Sequence, residues 1–319
     1  MKDTDYAFAA ANIRTAEKDL LSRSFIEQLI NSENYDDVRR ALIDKGFSEF
    51  ESTDDADKAL SDYMEKTWDY LSEIAPDISE LEFMIVKNDF HNLKAITKGI
   101  ISAVDGRKFC IKPCITDIEM MYDCITSKNF DALPQMISET AKSGYELLTS
   151  TMDGQLFDMF IDSASLEATV HLARGNAFSK KIADAACAYA NIKIAMRLAK
   201  TSANDVVYSY AFSECGDLDT DELAKAARRG YEQVITYLEN SEYSYLAQLK
   251  SQAAIERECD DRIMKILSEA KLVGFGIEPL IAYYYARAAE WANLRIILSA
   301  KRAGFSNDAI KERMRDIYV

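Results

Sequence analysis

The side chains of this 319-residue chain that could carry chemistry are few and poorly placed for it. There are two histidines, His91 and His171. His171 closes the mixed segment Leu166-Glu167-Ala168-Thr169-Val170, with no distinctive set of Cys, Asp or Glu around it that would make a metal site or a proton relay. Of the six cysteines, Cys110, Cys114, Cys124, Cys187, Cys215 and Cys259, only Cys110 and Cys114 lie close together. That spacing would suit zinc, but no second Cys/His pair completes four ligands, and so the six read as reduced thiols. No G-x-x-x-x-G-K-[ST] loop occurs, and Gly274-Phe275-Gly276 lacks the third glycine of a dinucleotide fingerprint. It reads instead as the turn that aims the last helix. The acidic pairs Asp54-Asp55 and Asp260-Asp261 read as solvated surface. The expectation is a chain with no catalytic residue, no metal, no cofactor and no nucleotide of its own.

The elements that hold these residues are predicted to be helices. Only four prolines, Pro76, Pro113, Pro134 and Pro279, and eleven glycines interrupt a sequence that is 48% hydrophobic and 29% charged. This balance predicts an all-α protein with a sizeable core. A formal net charge of −15 would repel nucleic-acid phosphates and anionic lipid head groups, which argues against nucleic-acid binding. Glu278, Arg287 and Glu290 punctuate the most apolar region, leaving no run of about 20 uncharged residues for a membrane span. The start Met1-Lys2-Asp3-Thr4-Asp5 has no secretory character, so a cytoplasmic location is expected.

One pattern occurs three times. Phe90-His91-Asn92-Leu93-Lys94, Tyr189-Ala190-Asn191-Ile192-Lys193 and Trp291-Ala292-Asn293-Leu294-Arg295 each read aromatic, any residue, Asn, Leu or Ile, cation. Asn92 and Asn191 are 99 residues apart, Asn191 and Asn293 102. Nine positions before each Asn stand Phe83, Ile182 and Tyr284, and two after each cation stand Ile96, Ala195 and Ile297. Each copy is predicted to be one amphipathic helix. Because a polar group beside a core stripe is costly if unpaired, Asn92, Asn191 and Asn293 are expected to tie their helices to a neighbour through side-chain hydrogen bonds. The other reading is that they and the cations Lys94, Lys193 and Arg295 face water. Together with Trp291 these are the candidate structural or interface positions. His91 falls where the other copies have Ala190 and Ala292, which suggests an exposed helix position.

Helix starts are expected at Asn34, Asn129 and Asp219, where Asn or Asp can cap the first turn. Gly46 is read as closing its helix, whereas the apolar pattern runs on past Gly144 and Gly230. Breaks near Asp105-Gly106-Arg107 and Thr201-Ser202-Ala203-Asn204 divide the chain into three related helical domains, 1–105, 106–202 and 203–319.

The C-terminal third resembles a known family. Glu278-Pro279-Leu280-Ile281, then Glu290-Trp291-Ala292-Asn293-Leu294-Arg295-Ile296-Ile297-Leu298, Lys301-Arg302-Ala303-Gly304-Phe305 and the ending Ile317-Tyr318-Val319 are similar to the end of the C subunits of the archaeal and bacterial A/V-type ATPases. That family includes the d subunit of the eukaryotic vacuolar enzyme. Tyr6, Phe8, Ala11-Asn12-Ile13-Arg14 and Leu20-Leu21 resemble its opening helix more loosely, and residues 50–270 share helical character and repeat layout. The resemblance implies a funnel of three similar helical domains around a pseudo-threefold axis. It also implies a rotor component at the cytoplasmic face of the membrane. Its cavity would receive the lower end of the central shaft, made of the D and F subunits, and its other face would rest on the membrane proteolipid ring. Such a component is non-catalytic and passes torque between ATP chemistry in the head and proton or sodium transport in the membrane. A helical interaction scaffold unrelated to ATPases is the alternative reading of the same residues.

Overall fold

Short polar side chains set where the helices begin. Oxygens of Ser22, Asn34, Asp117, Asp153, Asp219, Ser251 and Ser306 each accept a hydrogen bond from a backbone N–H in the first turn of the helix that follows. Each cap satisfies a donor that the helix itself leaves unpaired. The computed structural model describes residues 3–50, 53–201, 205–216, 218–249 and 251–319. In chain order the first helices are α1 (Ala7–Ala16), α2 (Arg23–Asn31), α3 (Tyr35–Asp44) and α4 (Thr53–Ile74). Next come α5 (Val86–Ile101), α6 (Ile118–Thr126), α7 (Gln135–Thr151), α8 (Gly154–Leu172) and α9 (Ala177–Thr201). After them lie α10 (Asp205–Tyr208), α11 (Thr220–Arg229), α12 (Tyr231–Glu239) and α13 (Ser244–Ala247). The last are α14 (Gln252–Leu267), α15 (Glu278–Arg302) and α16 (Asn307–Lys311). The fold is all-α: among the described residues the only β-type pairing is an isolated bridge between Cys215 and Leu218. None of these helices is long and apolar enough to cross a membrane.

Contacts group the chain into two compact units. One joins Met1–Ile78 to Lys250–Val319, bringing the two ends of the chain together, and the other is Ser79–Leu249. In the first unit α15 packs on α1, α3 and α4 as well as on its predecessor α14. Its buried Leu294, Ile297 and Leu298 meet Leu29, Val38, Leu42 and Leu60 in one core. In the second unit α5 packs on α6, α7 and α8, and α9 packs on α11 and α12 as well as on α8. There Phe90, Leu93 and Ile96 of α5 share a core with Met121, Ile137, Phe157 and Ile161. Each long helix that carries the repeated pattern therefore packs on the helices that follow it, and the last uses the helices that open the chain.

Two local expectations are corrected. Asn129 provides no side-chain cap and precedes only a short 3-10 turn, Phe130–Ala132; the next α-helix begins after Pro134, whose fixed φ suits a helix entry. Gly230 does not lie inside a helix. Its φ of +115° ends α11 and starts α12, a conformation that only glycine adopts cheaply. Gly46, at φ +102°, closes α3, and Gly144 lies within α7. The break expected at 201–204 falls, for Ser202, Ala203 and Asn204, outside the described residues.

Candidate functional site

Each of the three repeated patterns lies on one long helix, and in each the asparagine side chain is fully buried. Asn92 Nδ2 donates to the carbonyl of Ile111 at 3.0 Å while its Oδ1 accepts from the Ile111 N–H at 2.8 Å. Asn191 makes the same two-way bond with Ser213, at 2.7 and 3.1 Å. Asn293 makes it with Arg315, at 3.1 and 3.0 Å. An amide has one donor group and one acceptor, matching a peptide unit's C=O and N–H, so one buried residue satisfies both backbone groups of its partner. The partner lies 19, 22 and 22 residues further along the chain, each time in non-helical backbone. Each asparagine thus clamps its helix to its own downstream segment.

The clamps are embedded differently. On α5, Asn88 Nδ2 donates to the Pro113 carbonyl at 2.6 Å, and the Asp89 carboxylate accepts from the N–H groups of Ile115 and Thr116 at 2.9 and 2.6 Å. His91 Nε2 lies 3.0 Å from the Phe109 carbonyl oxygen. One helix face, Asn88, Asp89, His91 and Asn92, therefore binds the backbone of residues 109–116, and His91 is half-buried, not the exposed position its alanine counterparts suggested. Close approach is made possible by two glycines: a Cβ on Gly106 would lie 2.2 Å from the Ala95 carbonyl oxygen, and one on Gly99 would lie 2.6 Å from the Gly106 nitrogen. Asp89 is fully buried, and burial raises its pKa although the backbone N–H groups oppose the shift.

On α15 the position three before the asparagine is again a carboxylate, Glu290, 2% exposed. It accepts from the Leu21 N–H and the Tyr63 hydroxyl and forms an ion pair with Arg287 at 3.2 Å. Arg287 also donates to the Tyr63 and Tyr283 hydroxyls, the latter at 3.0 Å from Nε and 2.8 Å from Nη2. Burial raises the pKa of Glu290, with Arg287 and the hydrogen bonds working the other way. Burial also raises that of Tyr63, helped by the charge of Glu290. For Arg287 burial works against the charge but is outweighed by Tyr63 and Glu290. The hub ties α15 to α4 and to the Leu20–Leu21 segment.

On α9 the equivalent position is Ala188, and hydroxyls and thiols fill the space. Ser213 Oγ donates to the Ser163 carbonyl at 2.9 Å and lies 2.9 Å from Ser163 Oγ, joining α8 to the same clamp. The repeat cations differ as well. Lys94 pairs with Asp162 of α8 at 2.6 Å, and Arg295 is exposed, 3.6 Å from Asp57 and 5.4 Å from the Trp291 ring centre. Lys193 is half-buried with no carboxylate within ion-pair distance among the described residues. Trp291 is half-buried against the core of its unit. Asp260 and Asp261 are not solvated surface: they are half-buried and hold the C-terminal segment, through Arg315 Nε and the Asp316 N–H at 2.8 Å.

Asp89 and the Tyr63, Arg287, Glu290 hub are buried and half-buried polar positions that sequence reasoning did not single out. A signal exists: aligning the three patterns puts a carboxylate three residues before Asn in two of them, on the face that carries Leu93 and Leu294. In the sequence alone Arg287 and Glu290 stand out only as interruptions of an apolar run. His171 is exposed at the end of α8, and among the described residues no three His, Cys, Asp or Glu side chains cluster as a metal site would require. A surface groove of about 580 Å³ in the unit formed by the chain ends is lined by Phe8, Asn12, Thr15, Asp19, Tyr70 and Tyr283.

Fold and site together define an all-α protein whose buried polar groups hold long helices to non-helical segments of the chain. The chain belongs to the ATP synthase (C/AC39) subunit family, whose model matches residues 9–313. It is 24% identical over 322 aligned positions to the C subunit of the V-type sodium ATPase of Enterococcus hirae, an alignment that covers 96% of this chain and 97% of the relative.

Proposed function

We propose that this chain is the non-catalytic rotor component that couples the central shaft, made of the D and F subunits, to the membrane proteolipid ring of an A/V-type ATPase. In this role it transmits torque between ATP chemistry in the head and proton or sodium transport, at the cytoplasmic face of the membrane. The observation that carries the reading is the family match over 9–313, backed by a relative aligned along nearly its whole length. The packing order gives further support. Within the compact units α5 and α9 rest on the helices that come next, and α15 on the helices that open the chain. A funnel of three related segments, 1–105, 106–202 and 203–319, with pseudo-threefold symmetry is the arrangement we propose from the family resemblance. Exposed apolar side chains, Phe8 at 71%, Leu272 at 92% and Phe275 at 61%, supply surface suited to burial against other proteins of the assembly.

The test is co-purification of the tagged chain from its own cells under mild detergent. Recovery of the D and F subunits together with the proteolipid ring is expected. Recovery of none of the shaft, head or ring components would overturn the reading. The isolated chain is expected to bind no nucleotide, which equilibrium titration with ATP checks.

A further inference from the structure

The α9 clamp differs from the other two in holding two thiols. Cys187, one turn before Asn191 on α9, is 1% exposed, and Cys215 is 6% exposed. Asn191 uses one N–H on the Ser213 carbonyl, and its Nδ2 lies 3.7 Å from Cys187 Sγ and 3.4 Å from Cys215 Sγ. A single amide nitrogen thus bridges both sulfurs. The Cys187 S–H donates to the Ser213 carbonyl at 3.8 Å, so both thiols gather on the residues of one clamp. At the other two clamps the positions matching Cys187 are Asn88 and Ala289, and those matching Cys215, two residues after the clamped partner, are Pro113 and Ile317, so nothing in the shared architecture demands this pair.

Cys215 sits in the isolated bridge to Leu218, at a turn whose Gly216 has φ +42° and lies close against Asp184 of α9. The turn leads to Asp219, the cap of α11. Any covalent link at this point would fasten α9 to the segment that launches the next helices.

We infer that Cys187 and Cys215 form a redox-modification site: peroxide oxidises Cys215, and Cys187 resolves it to an intramolecular disulfide that locks the Asn191 clamp. The Cys215 thiolate attacks one peroxide oxygen; an S–O bond forms, the O–O bond breaks, and the departing hydroxide takes a proton to become water. The product is a sulfenic acid on Cys215. Cys187 then gives up its proton, attacks the Cys215 sulfur and displaces hydroxide, which leaves as a second water. Two thiols and one peroxide become one disulfide and two waters, with two electrons moving from the sulfurs to the peroxide. The order follows from access, because Cys215 is the more exposed of the two. The Asn191 amide also lies nearer the Cys215 sulfur, 3.4 Å against 3.7 Å for Cys187, where it can stabilise a Cys215 thiolate. Cys110 and Cys114 provide the contrast. Burial pushes each up to about 11, and they donate to the Gly106 and Thr116 carbonyls at 3.8 and 3.3 Å.

The experiment treats the reduced, full-length chain with hydrogen peroxide, blocks remaining thiols with N-ethylmaleimide, and maps proteolytic peptides by mass spectrometry. The expected result is a peptide pair joined through Cys187 and Cys215, lost on reduction and absent when the chain is unfolded in urea before oxidation. An upward shift in Tm that dithiothreitol reverses is expected alongside it. In Cys187→Ala, Cys215 should instead be trapped as the sulfenic acid by dimedone. Recovery of Cys187 and Cys215 as free thiols while Cys110 or Cys114 is oxidised overturns the inference, as does oxidation of Cys215 with no pairing to Cys187. The first measurement uses the wild-type chain, so a variant that fails to fold does not decide the outcome. None of these readouts depends on the coupling role.

Discussion

The α5 and α15 clamps occupy two different units of the molecule and begin from the same register: an asparagine on the core face, a carboxylate three residues earlier, and a non-helical partner downstream. Asp89 is held by backbone N–H groups of the segment its own helix leads into. Glu290 is held by a cation, a phenol and the N–H of Leu21, a residue 269 positions away in sequence. A local partner requires only close backbone contact, which Gly99 and Gly106 permit. A partner from the far end of the chain needs long side chains that reach across an interface, and a charge that compensates the one it meets. The difference therefore follows how the partner is connected, not how the helix is built.

The sharpest way to break this comparison is Glu290→Ala. It leaves the Arg287 charge without its carboxylate and the Leu21 N–H without an acceptor, and a loss of about 3–5 kcal/mol is expected for removing one partner of a buried pair. Asp89→Ala, which strands backbone N–H groups but no paired cation, should cost less. Urea unfolding midpoints of the two variants decide between them, and equal losses would show that Arg287 is not what separates the hubs.

Next in size are the asparagines. Replacing Asn92, Asn191 or Asn293 by Ala strands one N–H and one C=O of the partner backbone, and about 2–4 kcal/mol is expected for two unsatisfied groups. The backbone amides of Ile111, Ser213 and Arg315 should lose hydrogen-exchange protection in their respective variants. Unchanged protection in any one of them would remove that residue from the set of clamps.

A pH titration sharpens the carboxylate contrast. Because the folded pKa of Asp89 is raised above its unfolded value of about 3.9, its contribution is fully present below that value and is lost as pH rises through the folded pKa. Asp89→Asn abolishes this dependence. The stability of the wild type relative to the variant should fall as pH rises above about 4 and level off once Asp89 has ionised. A difference independent of pH would mean that burial does not raise the pKa of Asp89.

The smallest effect concerns the helix ends. Eleven residues after the clamp asparagine stand Ala103 and Gly304, at φ +55° and +72°. In both, the next N–H closes on a carbonyl five residues back, Val104 on Gly99 at 2.8 Å and Phe305 on Ala300 at 3.0 Å. Of these two, Ala103 alone bears a Cβ in the left-handed conformation, so Ala103→Gly should stabilise by about 0.5–1 kcal/mol and Gly304→Ala should destabilise by a similar amount. Opposite signs in thermal melts are the expected outcome.

Much of this arrangement could be read from residue types. The apolar spacing around Leu93, Ile192 and Leu294 located three long helices, and Asn34 and Asp219 marked helix starts because their side chains act on N–H groups within the same turn. Asn129 misled because a cap works only if the following backbone is free to form an α-helix, and Pro134 moves that start downstream. Gly230 misled because the apolar period survives on both sides of it, so that pattern alone does not register the break.

What the sequence determined by itself is whatever depends on neighbours within a turn or two: the all-helical class, most caps, the three-copy pattern and the acidic surface. The tertiary structure alone decided which backbone each asparagine clamps, that Leu21 and Tyr63 satisfy Glu290, that α15 rests on the helices opening the chain, and that Cys187 and Cys215 share an amide. The reason is that a hydrogen bond is directional and acts only at contact. Residue types fix which groups need a partner, but only the folded chain brings together groups that lie tens or hundreds of residues apart.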